Sequence, residues 1–285
     1  MSNGCVVTLG DMSDNGSMGW GGAVVLGMLL VVVPQLVVIH RVCRVSRMGF
    51  PKAHRRALVG TLLGGLLLLV GALRGWGAKE VHEAPGAILF LTALGGVWSL
   101  VVMALFPWLG LSLRDDAMER RNTAALVALL GALLAVQLTF IGGNIGEGPS
   151  YWNNVFCAVL GTGGLLCLWL ALEVGGGVSA SIAEDRDLAS GVRLCGFLVA
   201  AGLILGRAVA GSWQSEAATL RDYVHDGWPA GGLGVLALIF ERRLRPSQQR
   251  PFPAWPVVGL LPALLCLGLA GAWVYHVGPW EGFAR

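Results

Sequence analysis

Eight stretches of this chain are apolar over the length of about 20 residues that a helix needs to cross a hydrocarbon core about 30 Å thick. They run over 21–40, 57–76, 86–107, 123–143, 154–177, 188–210, 227–241 and 256–276. Inside lipid every backbone N–H and C=O must be satisfied within the protein, which leaves helices or a closed barrel. Segments of this length predict helices. The expected fold class is therefore all-α: a polytopic membrane helix bundle of about eight transmembrane helices. The seventh segment is the shortest, and it gains length if Trp228 sits at one interface and Glu241 and Arg242 at the other. Composition agrees, because only 13% of residues are charged, where a soluble domain carries about 25%. The 43 glycines fit a bundle whose helices approach closely.

Basic residues set the expected orientation, since short cytoplasmic loops are enriched in lysine and arginine. The connection after the first segment carries Arg41, Arg44, Arg47, Lys52, Arg55 and Arg56, and that between the third and fourth carries Arg114, Arg120 and Arg121. Arg186 and Arg193 follow the fifth, and Arg242, Arg243, Arg245 and Arg250 follow the seventh, so that 15 of the 20 basic residues lie on one alternating set of loops. That side is expected to be cytoplasmic, with both termini outside. Trp20, Trp76, Trp152, Trp213, Trp228 and Trp280 fall at the outer ends and Trp108 and Trp255 at the inner ends, an aromatic-belt pattern, with Trp98 and Trp169 left in mid-span. The first 20 residues lack the positive n-region and cleavage site of a signal peptide, so the first span is expected to remain in the mature chain. Of the six cysteines, Cys157, Cys167, Cys195 and Cys266 lie in apolar segments and read as small hydrophobes rather than a disulfide framework.

The chain aligns with itself at a shift of 65 residues. Arg121, Asn122, Ala124, Val127, Leu129, Gly131, Leu133 and Ala135 fall on Arg186, Asp187, Ala189, Val192, Leu194, Gly196, Leu198 and Ala200. Each unit reads as a hairpin: an incoming helix, a short charged turn, and the matched helix. Two hairpins inserted from the same side form a parallel internal repeat about an axis along the membrane normal. Asn122 and Asp187 stand where N-caps belong. Gly131 and Gly196, nine residues further on, are placed for close helix crossing.

These residues resemble the YjfL-like family of bacterial membrane proteins, a family of unknown function built from four helices as two such hairpins. The resemblance rests on the Arg121-Asn122-Thr123-Ala124-Ala125 start with Gly131, and on its second copy from Asp187 with Gly196, which carries aspartate in place of the usual asparagine. It implies a bacterial inner-membrane location and, by association, flotillin-like or other membrane-associated partners in a membrane-stress setting. The organisation that follows is a polar outside segment 1–20, an N-terminal transmembrane hairpin 21–85 and a central duplicated four-helix YjfL-like unit 86–213. An outer amphipathic segment 214–226 and a C-terminal hairpin 227–285 complete it.

Charged groups near the bilayer centre cost about 2.5–3.5 kcal/mol each, so each one needs a reason. Glu173 and Arg193 lie ten residues either side of position 183, at equal depth in antiparallel helices, and are expected to pair. Arg207 lies in the outer third of the sixth helix, with Asn144 and Glu147 of the loop after the fourth helix as expected partners. It is expected to face the interior between the central hairpins rather than lipid. Gln137 is a weaker polar signal on the fourth helix. The loop 142–154, rich in glycine and asparagine, and the amphipathic 212–226 stretch are the outward-facing candidates, the latter expected to lie on the outer surface.

No catalytic constellation is visible, and no metal or other cofactor is expected. His40 and His276 stand at opposite ends of their spans and cannot share a haem iron, while His54, His82 and His225 are expected in loops. Two readings remain. One is an ion or small-solute channel or transporter built on the duplicated hairpin, with Glu173, Arg193 and Arg207 along its path. The alternative is a non-catalytic scaffold or subunit recruiting partner proteins. The lipid bilayer and a second copy of the chain are the other candidate partners, and nucleic acid is excluded because the net charge is only +3.

Overall fold

The computed structural model describes residues 51–148, 151–245 and 254–278. The expected first span, 21–40, and the polar segment 1–20 lie outside the described residues. What is described is helical: α1 (Lys52–Trp76), α2 (Lys79–Glu83), α3 (Pro85–Met103), α4 (Thr123–Gly142), α5 (Tyr151–Gly176), α6 (Val178–Ala183), α7 (Leu188–Ala208), α8 (Glu216–Leu244) and α9 (Leu261–Val277). Short π-helical turns at Leu113–Glu119 and Pro256–Leu260 lead toward α4 and into α9. Among the described residues, α1, α3, α4, α5, α7 and the continuous Pro256–Val277 stretch are each long and apolar enough to cross a membrane. The protein is thus a helical membrane protein.

The seventh expected span departs from the sequence reading. Residues 216–244 form one helix of 29 residues that runs through Pro229, joining the amphipathic segment to the short apolar one. Arg221, Asp222 and Asp226 within it keep it from being a purely apolar span. Its first part does not simply rest on a surface. An added Cβ at Gly164 of α5 would come 1.8 Å from the Tyr223 hydroxyl, so Tyr223 is inserted against α5. The helical periodicity was legible, but the docking depends on a glycine on another helix.

The apolar cores of α4 and α7 are each 72% buried, against 28–39% for the other four apolar helices, so this pair forms the centre of the bundle. The two helices run parallel. Gly191 meets the Ala124 backbone, Gly131 meets Cys195, Gly202 meets Ala135, and Gly206 meets both Leu138 and Gly142. Added Cβ atoms at these glycines would stand 2.0–2.8 Å from their neighbours, closer than any real side chain comes. Gly131 therefore has the crossing role expected of it. Gly196 has one too, but against Ala263 of α9 rather than α4.

The turns leading into α4 and α7 share a conformation. Arg121 and Arg186 are the positive-φ non-glycine residues among those described, at 52° and 55°. The following residue donates its N–H to the Asp116 carbonyl (3.1 Å) in one turn and to the Ser181 carbonyl (3.0 Å) in the other. Asn122 then accepts from the N–H groups of Ala124 and Ala125, and Asp187 from those of Ala189 and Ser190, as N-caps do. We call this the cap end of the bundle and the opposite one the far end.

The glycine-rich loop after α4 is less free than its composition suggests. Its Ile145 and Glu147 carbonyls accept from the N–H groups of Gly211 and Trp213, at 3.0 and 2.7 Å. Gly146, at φ 107°, packs so close to Gly211 that any side chain there would strike its backbone. The belt tryptophans Trp76, Trp108, Trp152, Trp228 and Trp255 are exposed, whereas Trp169 is fully buried against Phe106.

Candidate functional site

Among the described residues the buried charged side chains other than Asp116, which lies in the turn before α4, gather along one interface, where α7 meets α8 and α9. At the cap end Arg193 of α7 and Glu241 of α8 are 6% and 3% exposed. Arg193 Nε and Nη2 donate to Glu241 Oε2 at 3.0 and 2.8 Å, a charge-assisted contact from two nitrogens. Arg193 Nη2 also donates to Ser190 Oγ (2.7 Å), and Ser190 Oγ lies 3.0 Å from Glu241 Oε1 and 2.7 Å from Asp187 Oδ2. The remaining arm, Nη1, donates to the Val258 carbonyl at 2.9 Å. Pro262, four residues on, has no N–H to offer that carbonyl, so the arginine satisfies a backbone acceptor at the irregular start of the last helix. Arg242 and Arg245 add the last ties at this end. They donate to the carbonyls of Gly175 and Gly177, where α5 ends and its orphan acceptors collect.

A second rung of the same kind lies at the far end. Arg207 of α7 has a side chain 11% exposed, with Nη1 3.9 Å from Asp226 Oδ2 of α8. Its Nε and Nη2 donate to the Gly278 carbonyl at the end of α9, at 3.3 and 3.2 Å. Trp273 of α9 donates its indole N–H to the Asp226 carbonyl (2.9 Å) and stacks edge-on with Trp228. Both arginines therefore bridge an acid on α8 and a carbonyl on the last helical segment. They stand 14 residues apart on α7, about 21 Å and close to four whole turns, hence on one face. Their acids stand 15 residues apart on α8, in antiparallel register.

No family model, curated protein or solved structure matches this chain. The site must be read from its own chemistry.

Several expected pairings change. Glu173 is not the partner of Arg193: its carboxylate accepts from the N–H (2.8 Å) and hydroxyl (2.5 Å) of Ser179 and so caps the start of α6. Equal depth was the right condition but an insufficient one, because Arg193 points around α7 toward α8. Arg207 faces neighbouring helices, but they are α8 and α9 rather than the central hairpins, and the acid beside it is Asp226 rather than Glu147. Asn144 donates to the Phe140 carbonyl (2.7 Å) and accepts from Asn154 (2.8 Å), and Glu147 is exposed. Gln137 is buried, donates weakly to the Leu62 carbonyl (3.3 Å), and has an amide oxygen without a hydrogen-bond partner against Gly65 of α1. His54 and His225 lie in helices α1 and α8 and His82 in the short α2, rather than in loops. His54 Nδ1 lies 2.8 Å from the Ala117 carbonyl, tying α1 to the turn before α4. Among the described residues no three His, Cys, Asp or Glu side chains gather as a metal site. The acids Glu241 and Asp226 were missed because one was read as an interface marker and the other as part of a surface segment. Their matching spacing against Arg193 and Arg207 was the available signal.

Asn122 does more than cap. Its Nδ2 donates to the Ile182 carbonyl at 2.6 Å, so the start of α4 is tied to the end of α6. Asn122→Ala should lower stability by about 2 kcal/mol, from the lost cap and the stranded carbonyl. Asn122→Asp, which keeps the cap and loses the donor, should fall between. Thermal unfolding in detergent of the three proteins tests the ordering.

Proposed function

We propose that this chain is a multi-pass protein of the bacterial inner membrane, with both termini outside the cytoplasm, that moves an ion or small solute. The observation that carries the reading is the pair of Arg–acid rungs at the two ends of one helix interface. A buried ion pair is no more stabilising than apolar packing of the same volume, and intramembrane charge most often marks a functional path. The two rungs suit inner and outer closures of a route between α7 and the α8–α9 hairpin. The cavity beside the inner rung, lined by Arg193, Glu241, Phe197, Phe240, Pro262 and Cys266, measures about 10 Å³, close to the room of one water. The inner closure is thus shut. A route along the axis between the two repeats is disfavoured, because α4 and α7 touch there backbone to backbone.

The shared turn conformation at Arg121 and Arg186 supports duplication of the hairpin, and with it the resemblance to the YjfL-like proteins. The close pairing of Arg193 with Glu241 also favours the second reading, a scaffold that recruits membrane-associated partners. Flux separates them. Proteoliposomes containing only this protein should release a trapped solute or ion faster than protein-free vesicles, and the release should change when Arg207 becomes leucine. Tight vesicles under every gradient would leave the scaffold. Orientation has its own test: a reporter fused at Gln248 should be active as a cytoplasmic reporter and one at the C-terminus as an outside reporter. Both on one side would overturn the even number of spans.

A further inference from the structure

We propose that this chain associates with further copies of itself head to tail, the free face of α9 on one copy seating on the free face of α1 on the next. A packing relation that recurs inside the molecule carries the proposal. α1, α4, α7 and α9 all run from the cap end to the far end, and each packs on the next in that order. Ala124 and Gly131 of α4 meet Gly191 and Cys195 of α7. Ala189 and Gly196 of α7 meet Gly259 and Ala263 at the start of the last helical segment. The residues that present themselves are 65 apart in the two contacts, and those that receive them are 68 apart. α7 therefore turns to α9 the face that α4 turns to α7. The α1–α4 contact follows the same rule. Gln137, which meets Gly65 of α1, stands 65 residues before Gly202, which meets Ala135 of α4. Gly65 thus holds on α1 the place that Ala135 holds on α4.

An interface that uses two different faces leaves one of each over at the ends of the row. Carried onto α9, the presenting positions fall on Leu264, Gly268 and Tyr275. Carried onto α1, the receiving positions fall on Gly60, Leu67 and Gly71. Leu264, Tyr275 and Leu67 are 54%, 88% and 71% exposed. An added Cβ at Gly60, Gly71 or Gly268 meets nothing within 4 Å among the described residues. The two faces also complement each other in register. Within the molecule the contacts Gly131–Cys195, Ala135–Gly202 and Gly142–Gly206 each have a glycine on at least one side. Between copies the same three depths pair Leu264 with Gly60, Gly268 with Leu67, and Tyr275 with Gly71. At each depth a large exposed side chain stands opposite a glycine with open space, the close fit on which membrane helices depend. A lipid cover alone requires no such match. Because α9 and α1 run the same way, successive copies keep one orientation in the bilayer.

The test uses two differently tagged full-length chains, one carrying Gly60→Cys and the other Leu264→Cys, reconstituted together in liposomes and oxidised. A disulfide-linked dimer bearing both tags is expected, and none when either variant is oxidised with the parent chain. Gly268→Cys with Leu67→Cys should behave alike. Gly60→Cys with Gly268→Cys, about 10 Å out of register, should give at least tenfold less. Adding Gly268→Phe to the Leu264→Cys chain should cut its dimer with Gly60→Cys at least tenfold, while its unfolding midpoint as a monomer in detergent stays unchanged. Leu264→Cys chains that link to one another as readily as to Gly60→Cys would overturn the head-to-tail contact in favour of a two-fold pair through α9. Equal yields in and out of register would mean random collision in the bilayer and overturn it too. No dimer in any combination would leave both faces to lipid or to residues 1–50 of the same chain, and the proposal would fall.

Discussion

Arg193→Leu is expected to destabilise the protein by about 3 kcal/mol, because it leaves Glu241, 3% exposed, with Arg245 at 3.9 Å as its remaining counter-charge. Two neutral groups lose donors at the same time: the Val258 carbonyl, which Pro262 cannot serve, and Ser190 Oγ. Glu241→Leu should cost a similar amount, since the buried guanidinium then keeps Asp187, 3.8 Å away, as its remaining carboxylate. The double change to apolar residues should recover much of the loss, and the cycle of single and double variants measures the coupling directly. Glu173 supplies the control. Its carboxylate bonds only to Ser179 among the described contacts, so Glu173→Leu should add to Arg193→Leu without coupling. Thermal unfolding in detergent reads all of these. Independence of Arg193 and Glu241 in that cycle would remove the inner rung.

Gly142→Leu should be as damaging, by a different physical route. A Cβ at position 142 would lie 2.0 Å from the Gly206 carbonyl oxygen and 2.5 Å from its carbon. Those are backbone atoms in the last turn of α7, which cannot swing aside as a side-chain tip can. The α4–α7 pair must separate, losing the close packing on which membrane helices depend in place of a hydrophobic drive between them. Overpacking at such a point costs about 3 kcal/mol. Gly60 of α1 is the matched control, with nothing within 4 Å of an added Cβ. Gly60→Ala should leave the fold intact and add up to about 1 kcal/mol from helix propensity. Equal stability of the Gly142 variant and the parent would mean that α4 and α7 are not in backbone contact.

The sequence by itself determined those features that are local or set by the solvent. Six of the eight expected spans coincide with helices long and apolar enough to cross, because an unsatisfied backbone group in lipid is costly wherever the chain leads. Asn122 and Asp187 were legible as caps because a cap bonds only to N–H groups two and three residues ahead. What a side chain meets across a helix boundary was not legible in this way. Depth follows from counting residues along a span, but azimuth does not. Arg193 could be placed level with Glu173 and still face away from it. Its facing is set where α7 is pinned, through Gly191, Gly202 and Gly206 against α4. That contact turns Arg193 and Arg207 toward α8 and α9. Only the packed bundle decided that Glu241 and Asp226, rather than Glu173 and Glu147, would be their acids.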